Sequence, residues 1–103
     1  MRILDFIVSG QRIERDPICS FDGIARGSRG YLHARFRFSA EWSGCKRVAI
    51  FTCRGKEYPV PLVKNVCVIP DEALTGSTVK VSVVGQRSDG YRIPTDSTEF
   101  QQR

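Results

Sequence analysis

Apolar and polar residues alternate one by one in several short segments of this chain, and that pattern limits its folds more than any other feature. In residues 31–39 the apolar side chains fall on one face of an extended strand: Leu32, Ala34, Phe36 and Phe38. The other face carries Tyr31, His33, Arg35 and Arg37. A period of two is typical of a strand with one buried and one solvated face. The segment therefore predicts a half-buried strand.

Further segments also read as strands. Residues 47–53 form a continuous apolar run that predicts a central strand, and the two-residue turn at Arg54 and Gly55 leads into residues 56–62. Pro59 and Pro61 cannot donate ladder hydrogen bonds, so they predict an edge strand there. The other strand segments are residues 3–8, 11–14, 66–69, 78–84 and 91–95. The whole pattern predicts an all-β, antiparallel sandwich or small barrel of seven or eight short strands.

Helical signal is confined to one place. Pro70 is followed by two acids, Asp71 and Glu72, which predicts a short helical turn near residues 70–75. A chain of 103 residues makes one domain. We expect residues 1–95 to form the sandwich and residues 96–103 to be a polar tail that frays. The glycine-rich residues 16–30 predict a long loop with a functional or mobile role.

Positive charge is concentrated in one part of the sequence. The formal net charge is +5. Residues 23–56 hold a single acid, Glu41, against eight bases: Arg26, Arg29, Arg35, Arg37, Lys46, Arg47, Arg54 and Lys56. Such a field attracts phosphates, acidic proteins or anionic surfaces, although an ordinary solvated surface has the same composition. No apolar run is long enough for a membrane span, so we expect no membrane association.

The alternating face of residues 31–37 is the best candidate binding surface. Its members Tyr31, His33, Arg35 and Arg37 can stack on bases, pair with phosphates or meet an acidic protein, and Arg47 is grouped with them. Arg26 and Arg29 are candidate binding residues in the glycine-rich loop. Trp42 is predicted either to close one end of the core or to anchor an interface from a loop.

Residues for catalysis or metal binding are not arranged in any known pattern. The four cysteines contain no C-x-x-C pair and His33 is the only histidine, which disfavours a zinc site. No carboxylate is placed to orient His33, and no phosphate-loop motif occurs. We therefore expect no enzyme, no catalytic residue, no metal and no cofactor. The cysteines are expected to be reduced structural thiols, with Cys45 the candidate for a reactive one.

Three groups of residues resemble the sequence pattern of one known family. They are Ile3-Leu4-Asp5-Phe6 with Val8-Ser9-Gly10; Tyr31-Leu32-His33-Ala34-Arg35-Phe36-Arg37-Phe38 with Glu41-Trp42-Ser43-Gly44; and Cys67-Val68-Ile69-Pro70 with Val79, Val81 and Val83. The pattern is similar to the N-terminal β-domain of baseplate upper proteins and related minor structural proteins of phages and prophages of Gram-positive bacteria. The resemblance implies an immunoglobulin-like β-sandwich that assembles with other phage structural proteins, without catalysis.

Two alternative functions stay open at this point. A phage-encoded inhibitor of a host defence nuclease, similar to an anti-CRISPR protein, could use a basic face against an acidic host surface. A nucleic-acid-binding β-domain could use Tyr31, Arg35 and Arg37 directly. Self-association through exposed sandwich edges or a basic face is a further expectation. We expect the chain in the host cytoplasm, with incorporation into a virion under the lead hypothesis.

Overall fold

Two β-sheets pack against each other in the computed structural model, which describes residues 1–103. The strands are β1 (Arg2–Ser9), β2 (Arg12–Arg15), β3 (Leu32–Phe38), β4 (Lys46–Cys53), β5 (Lys56–Pro61), β6 (Val66–Val68), β7 (Thr78–Gln86), β8 (Arg92–Pro94) and β9 (Thr98–Gln101). Two single 3₁₀ turns complete it, at Ala40–Trp42 and Asp71–Leu74. The all-β sandwich and the turn near residues 70–75 are confirmed, with nine strands where seven or eight were expected.

The first sheet contains a parallel pair, which corrects the expectation of a wholly antiparallel fold. Its strand order is β2-β1-β3-β6, and β1 runs parallel to β3 from Arg2 opposite Leu32 to Val8 opposite Phe38. A parallel partner needs a crossover connection rather than a hairpin. β2 turns the chain back along β1 as far as Phe6, and residues 16–30 carry it from there to the start of β3, beside Arg2. The glycine-rich loop therefore has a structural task that the sequence pattern did not reveal.

The second sheet has the order β5-β4-β7-β8, and β9 pairs with a different part of β7 from the part that pairs with β8. Val79 and Gly85 are six positions apart on β7, whereas their partners Phe100 and Ile93 are seven positions apart, so the edge strand contains a one-residue bulge between β8 and β9. The prediction that residues 96–103 form a fraying tail is wrong. Phe100 is fully buried, because it faces the core from β9 and packs beside Phe21.

Asp96, at the bulge, joins the two sheets along one side of the sandwich. Its backbone N–H donates to the Gln11 carbonyl at 2.8 Å, and its carboxylate accepts the Ile13 N–H at 2.9 Å. The Gln11 side chain in turn donates to the Pro94 carbonyl. These bonds satisfy part of the free edge of β2, which would otherwise expose unpaired backbone groups.

The other side of the sandwich ends at β5, as its prolines predicted. The Leu62 N–H donates to the Arg47 carbonyl at 2.9 Å, and β5 continues the same antiparallel register from there. Hydrogen-bonded and outward-pointing residues alternate along such a pair. The backbone nitrogens of Pro59 and Pro61 therefore face away from β4, toward the open edge, where any other residue would present a free N–H.

The core is aromatic at its centre and closely packed at one end. Phe6 stacks on Phe36 with ring centroids 5.2 Å apart. Trp42 is fully buried, and its indole N–H donates to the Gly10 carbonyl at 2.8 Å. A Cβ at Gly85 would lie 2.8 Å from the Trp42 ring, so only glycine fits there. Trp42 is thus a core residue, and its predicted alternative as an interface anchor is wrong.

Candidate basic interaction surface

Strand β3 presents the predicted binding residues on the outer face of the first sheet. Arg35 and Arg37 are exposed, His33 is half-buried, and Tyr31, just before the strand, is 49% exposed. The inward and outward directions predicted from the alternation agree with the burial along β3. What the alternation could not show is which charges surround these side chains.

Arg35 is held in an ion pair with Asp5 on the neighbouring strand. Its Nε lies 2.7 Å from Asp5 Oδ1 and its Nη2 lies 3.1 Å from Oδ2, a two-point contact between planar groups. The parallel register places these two residues side by side. The hydrogen bond and the charge of Asp5 raise the pKa of the Arg35 guanidinium above its ordinary value. Its positive charge is therefore largely compensated.

Arg37 is compensated in the same way, from the crossover segment. Its Nη2 lies 3.2 Å from Asp16 Oδ2. His33 adds no charged partner, since its nearest polar contact is the backbone carbonyl of Tyr31 at 3.4 Å. The β3 face is therefore closer to electrical neutrality than its own sequence predicted.

Arg47 does not belong to the β3 face, which corrects its grouping there. It points inward from the start of β4, with its guanidinium carbon 4.3 Å from the centroid of the Phe38 ring. It donates to Asn65 Oδ1 at 2.7 Å and to the Trp42 carbonyl at 2.8 Å. Arg47 therefore ties together three separate segments at one end of the sandwich.

Arg26 and Arg29 lie in a third place, at the opposite end of the molecule. Both are exposed, and they line a shallow depression of about 530 Å³ together with Asp71 and Glu72. Two acids thus face two bases in this depression. The candidate residues consequently do not converge on one site.

A group of bases that the sequence analysis did not assemble surrounds the start of β4. We call it the β4 basic cluster, and its members are Lys46, Arg47, Lys64, Arg87 and Arg92. Two shallow depressions of about 500 and 470 Å³ meet at Lys46 and Val48, and no acidic side chain lines either one. The Arg87 guanidinium lies over the Tyr91 ring, 3.9 Å from its centroid.

None of the five bases forms an ion pair. The three ion pairs of the molecule are Arg12 with Glu14, Arg35 with Asp5, and Arg37 with Asp16. The Nε atoms of Arg47 and Arg87 are also buried without a hydrogen-bond partner. Buried N–H donors are nearly always paired, so two unpaired ones at one end of a small domain are unusual.

Acids at this end of the molecule are engaged by other groups. The Asp96 carboxylate accepts the Ile13 N–H, and the Asp89 carboxylate accepts the Tyr91 N–H. A hydrogen bond from the Ser39 side chain lowers the pKa of the Glu41 carboxyl. None of these three acids forms an ion pair with a base of the β4 basic cluster, so its positive charge is less compensated than that of Arg35 and Arg37.

The sequence held only part of the signal for this cluster. Lys46 and Arg47 lie in the basic stretch of residues 23–56, but Lys64, Arg87 and Arg92 lie in the half whose bases and acids balance. The register of the second sheet brings them together, because Lys46 is opposite Gln86 and Gln86 is opposite Arg92. That register depends on long-range pairing, which local patterns do not reveal.

The outer face of the second sheet carries a contiguous group of apolar side chains. We call it the apolar strip, and its members are Val48, Ile50, Pro59, Pro61, Val84 and Pro94. Four of them are cross-strand neighbours in a single row, in the order Pro61, Val48, Val84 and Pro94. Pro59 lies opposite Ile50 in the adjacent row of the same face. Each of the six is exposed or half-buried.

No protein-family model, curated protein or solved structure matches the chain. The molecule contains no helix long and apolar enough to cross a membrane. It holds no group of three or more His, Cys, Asp or Glu side chains that could bind a metal ion, and its four cysteines are free.

Proposed function

We propose that this chain is a non-enzymatic structural or accessory module of a phage or prophage, and that it acts by binding protein during virion assembly. The resemblance of its core pattern to baseplate upper proteins suggests the setting. The observation that carries the binding role is the apolar strip, because a contiguous exposed apolar patch marks an interaction surface more often than scattered apolar residues do.

The strip favours a contact through the sheet face rather than through a strand edge. Adding a strand to β5 requires free N–H groups along its outer edge. Pro59 and Pro61 supply none at two of the outward positions. On the opposite side, Asp96 already occupies part of the β2 edge. We therefore assign self-association or partner binding to the outer face of the second sheet rather than to these two edges.

The strength of this contact suits a repeated assembly. Covering the exposed portions of three aliphatic side chains contributes roughly 1 kcal/mol each. Bringing two free chains together costs about 4–15 kcal/mol in lost motion. A single strip contact is therefore weak, whereas many copies on one particle reinforce each other through effective concentration.

The ion pairs of the β3 face make one alternative function less attractive. Direct nucleic-acid binding by Tyr31, Arg35 and Arg37 needs free positive charge on that face. Asp5 and Asp16 compensate the two arginines. Protein binding through the apolar strip does not depend on that charge.

Variants on the two outer faces test the proposal. Ile50→Glu places a charge in the apolar strip, and Val68→Glu places the same charge on the first sheet, where Val68 is 45% exposed. We expect the unmodified chain and Val68→Glu to sediment with phage particles or as oligomers. Ile50→Glu should associate about tenfold more weakly. A chain that stays monomeric and separate from particles, or two variants with equal losses, would contradict the proposal.

A further inference from the structure

We infer that the β4 basic cluster binds the phosphate backbone of a single-stranded nucleic acid. The bases of this site are not members of the apolar strip, although Val48, Pro61 and Val84 of the strip line the same two depressions. The inference does not depend on the proposed role in virion assembly. The inference rests on free charge, on the arrangement of the bases across the sheet, and on two arginines that are held in place by aromatic rings.

Free charge distinguishes this cluster from the two groups of bases that the sequence predicted as binding residues. Arg35 and Arg37 have carboxylate partners, and Arg26 and Arg29 share their depression with Asp71 and Glu72. The five bases of the β4 basic cluster have no ion-pair partner, and the two depressions that four of them line contain no acid. A phosphate entering there meets attraction without a competing carboxylate.

The bases form a row across the strands rather than a compact knot. Lys64 lies in the turn beyond β5, Lys46 on β4, and Arg92 on β8, with β7 between the last two. Neighbouring strands are about 4.8 Å apart, so the row extends roughly 15 Å. That length matches several successive phosphates of an extended strand, which follow one another at a few ångströms.

Arg47 and Arg87 are held in place for ligand binding. The Phe38 and Tyr91 rings support the two guanidinium groups at 4.3 and 3.9 Å. Each keeps a buried Nε without a partner. A fixed planar guanidinium suits phosphate oxygens, and its flat side can also stack on a base. Because both Nε atoms are buried, a phosphate can contact these side chains only at their Nη groups, and those of Arg47 already donate to Asn65 and Trp42.

A single strand fits this surface better than the other polyanions do. The depressions are shallow, and the Arg87 guanidinium, which lies over the partly exposed Tyr91 ring, is a planar group on which a nucleobase can stack. An acidic protein segment has no nucleobases that could stack, so it would use only part of this arrangement. We therefore assign the site to single-stranded nucleic acid and treat the acidic segment as an outcome of the test.

The test compares two triple variants with the same change in charge. Lys46→Gln/Lys64→Gln/Arg92→Gln removes three exposed bases of the cluster, and Arg26→Gln/Arg29→Gln/Lys80→Gln removes three exposed bases elsewhere. Arg47 is left intact because it supports the fold. Binding of a fluorescent oligo-dT or oligo-U of about 20 nucleotides is measured by anisotropy at several salt concentrations, with thermal unfolding as the check that both variants fold.

We expect the unmodified chain to bind with an affinity that falls linearly with salt on a double-logarithmic plot. Loss of three phosphate contacts should reduce that slope by about 2 and weaken binding roughly a hundredfold at about 0.1 M salt. The control triple should keep the slope. The inference is overturned if the unmodified chain does not bind at about 50 mM salt, if both triples lose affinity equally, or if polyglutamate competes as well as the oligonucleotide does.

Discussion

Cys67 shows how strongly burial acts on a single side chain in this sandwich. The residue faces inward from β6, directly opposite Ala34 on β3. Burial raises the pKa of its thiol to about 12. The group therefore stays protonated at neutral pH and behaves as a small apolar side chain, in keeping with the expected structural role of the cysteines.

This raised pKa predicts a loss of stability at alkaline pH. The folded state holds the proton more tightly than the unfolded state, whose thiol pKa is about 8.5. Stability is therefore complete below that pH and falls by up to about 1.4 kcal/mol per unit as pH rises toward 12. Urea unfolding at several pH values should show this slope in the unmodified chain and in Cys45→Ala, but not in Cys67→Ala. Equal slopes in all three would contradict the prediction.

Single-residue directions could be predicted from the sequence, whereas their partners could not. The alternation in residues 31–38 correctly gave Phe36 as buried and Arg35 as exposed. The partner of Arg35 is Asp5, thirty positions away, and only the parallel β1–β3 register brings them together. Arg47 was misplaced for a related reason, since a long side chain at a strand end can turn into the core and keep its charge hydrated or paired.

The elements with strong local signals were predicted well. β4 is central and β5 is an edge, as the continuous apolar run and the two prolines indicated. Arg54 and Gly55 both have positive φ, the geometry of a tight hairpin turn. β9 was missed because Phe100 is the only large apolar residue in a polar segment, so its pairing with β7 depends on tertiary contacts.

Strand β5 offers a test of how this fold protects an edge. Pro59→Val/Pro61→Val would add two outward-pointing N–H groups without disturbing the bonds to β4. We expect self-association to increase at least severalfold, because the edge can then accept a strand from a second copy. Light scattering at rising protein concentration would measure it.

Glu57→Val is the matched control for that experiment. Residue 57 also lies on the outer face of β5, and the substitution adds a similar apolar side chain without adding a new donor. If the double variant remains as monomeric as this control, the prolines do not protect the edge and another feature must do so.

The whole molecule depends on its last strand for a closed core. Phe100 lies 6.3 Å from Phe21, which in turn packs 5.5 Å from Phe6, so the aromatic centre joins the first and last strands through the crossover segment. The backbone of Arg103 also bonds Ile24 and Arg26 of that segment. The C-terminal residues are therefore part of the structural framework.

Replacing Phe100 tests that dependence. Phe100→Ala should lower the free energy of unfolding by about 3–5 kcal/mol, because it empties a fully buried aromatic position. Glu99→Ala, on the exposed face of the same strand, should change it by less than about 0.5 kcal/mol. Chemical denaturation of both variants would measure the difference. A loss below about 1 kcal/mol for Phe100→Ala would mean that the core closes without β9.

The bond between Asp96 and Ile13 spans 83 positions of the chain and sets the order in which the protein can mature. A nascent chain leaving the ribosome can form the β1–β2 hairpin early, but the residue that seals the edge of that hairpin is synthesised 83 positions after Ile13. Contacts of such long separation slow the folding of all-β domains and prolong the lifetime of unsealed states. Chaperone protection would therefore be most valuable before Asp96 has left the ribosome.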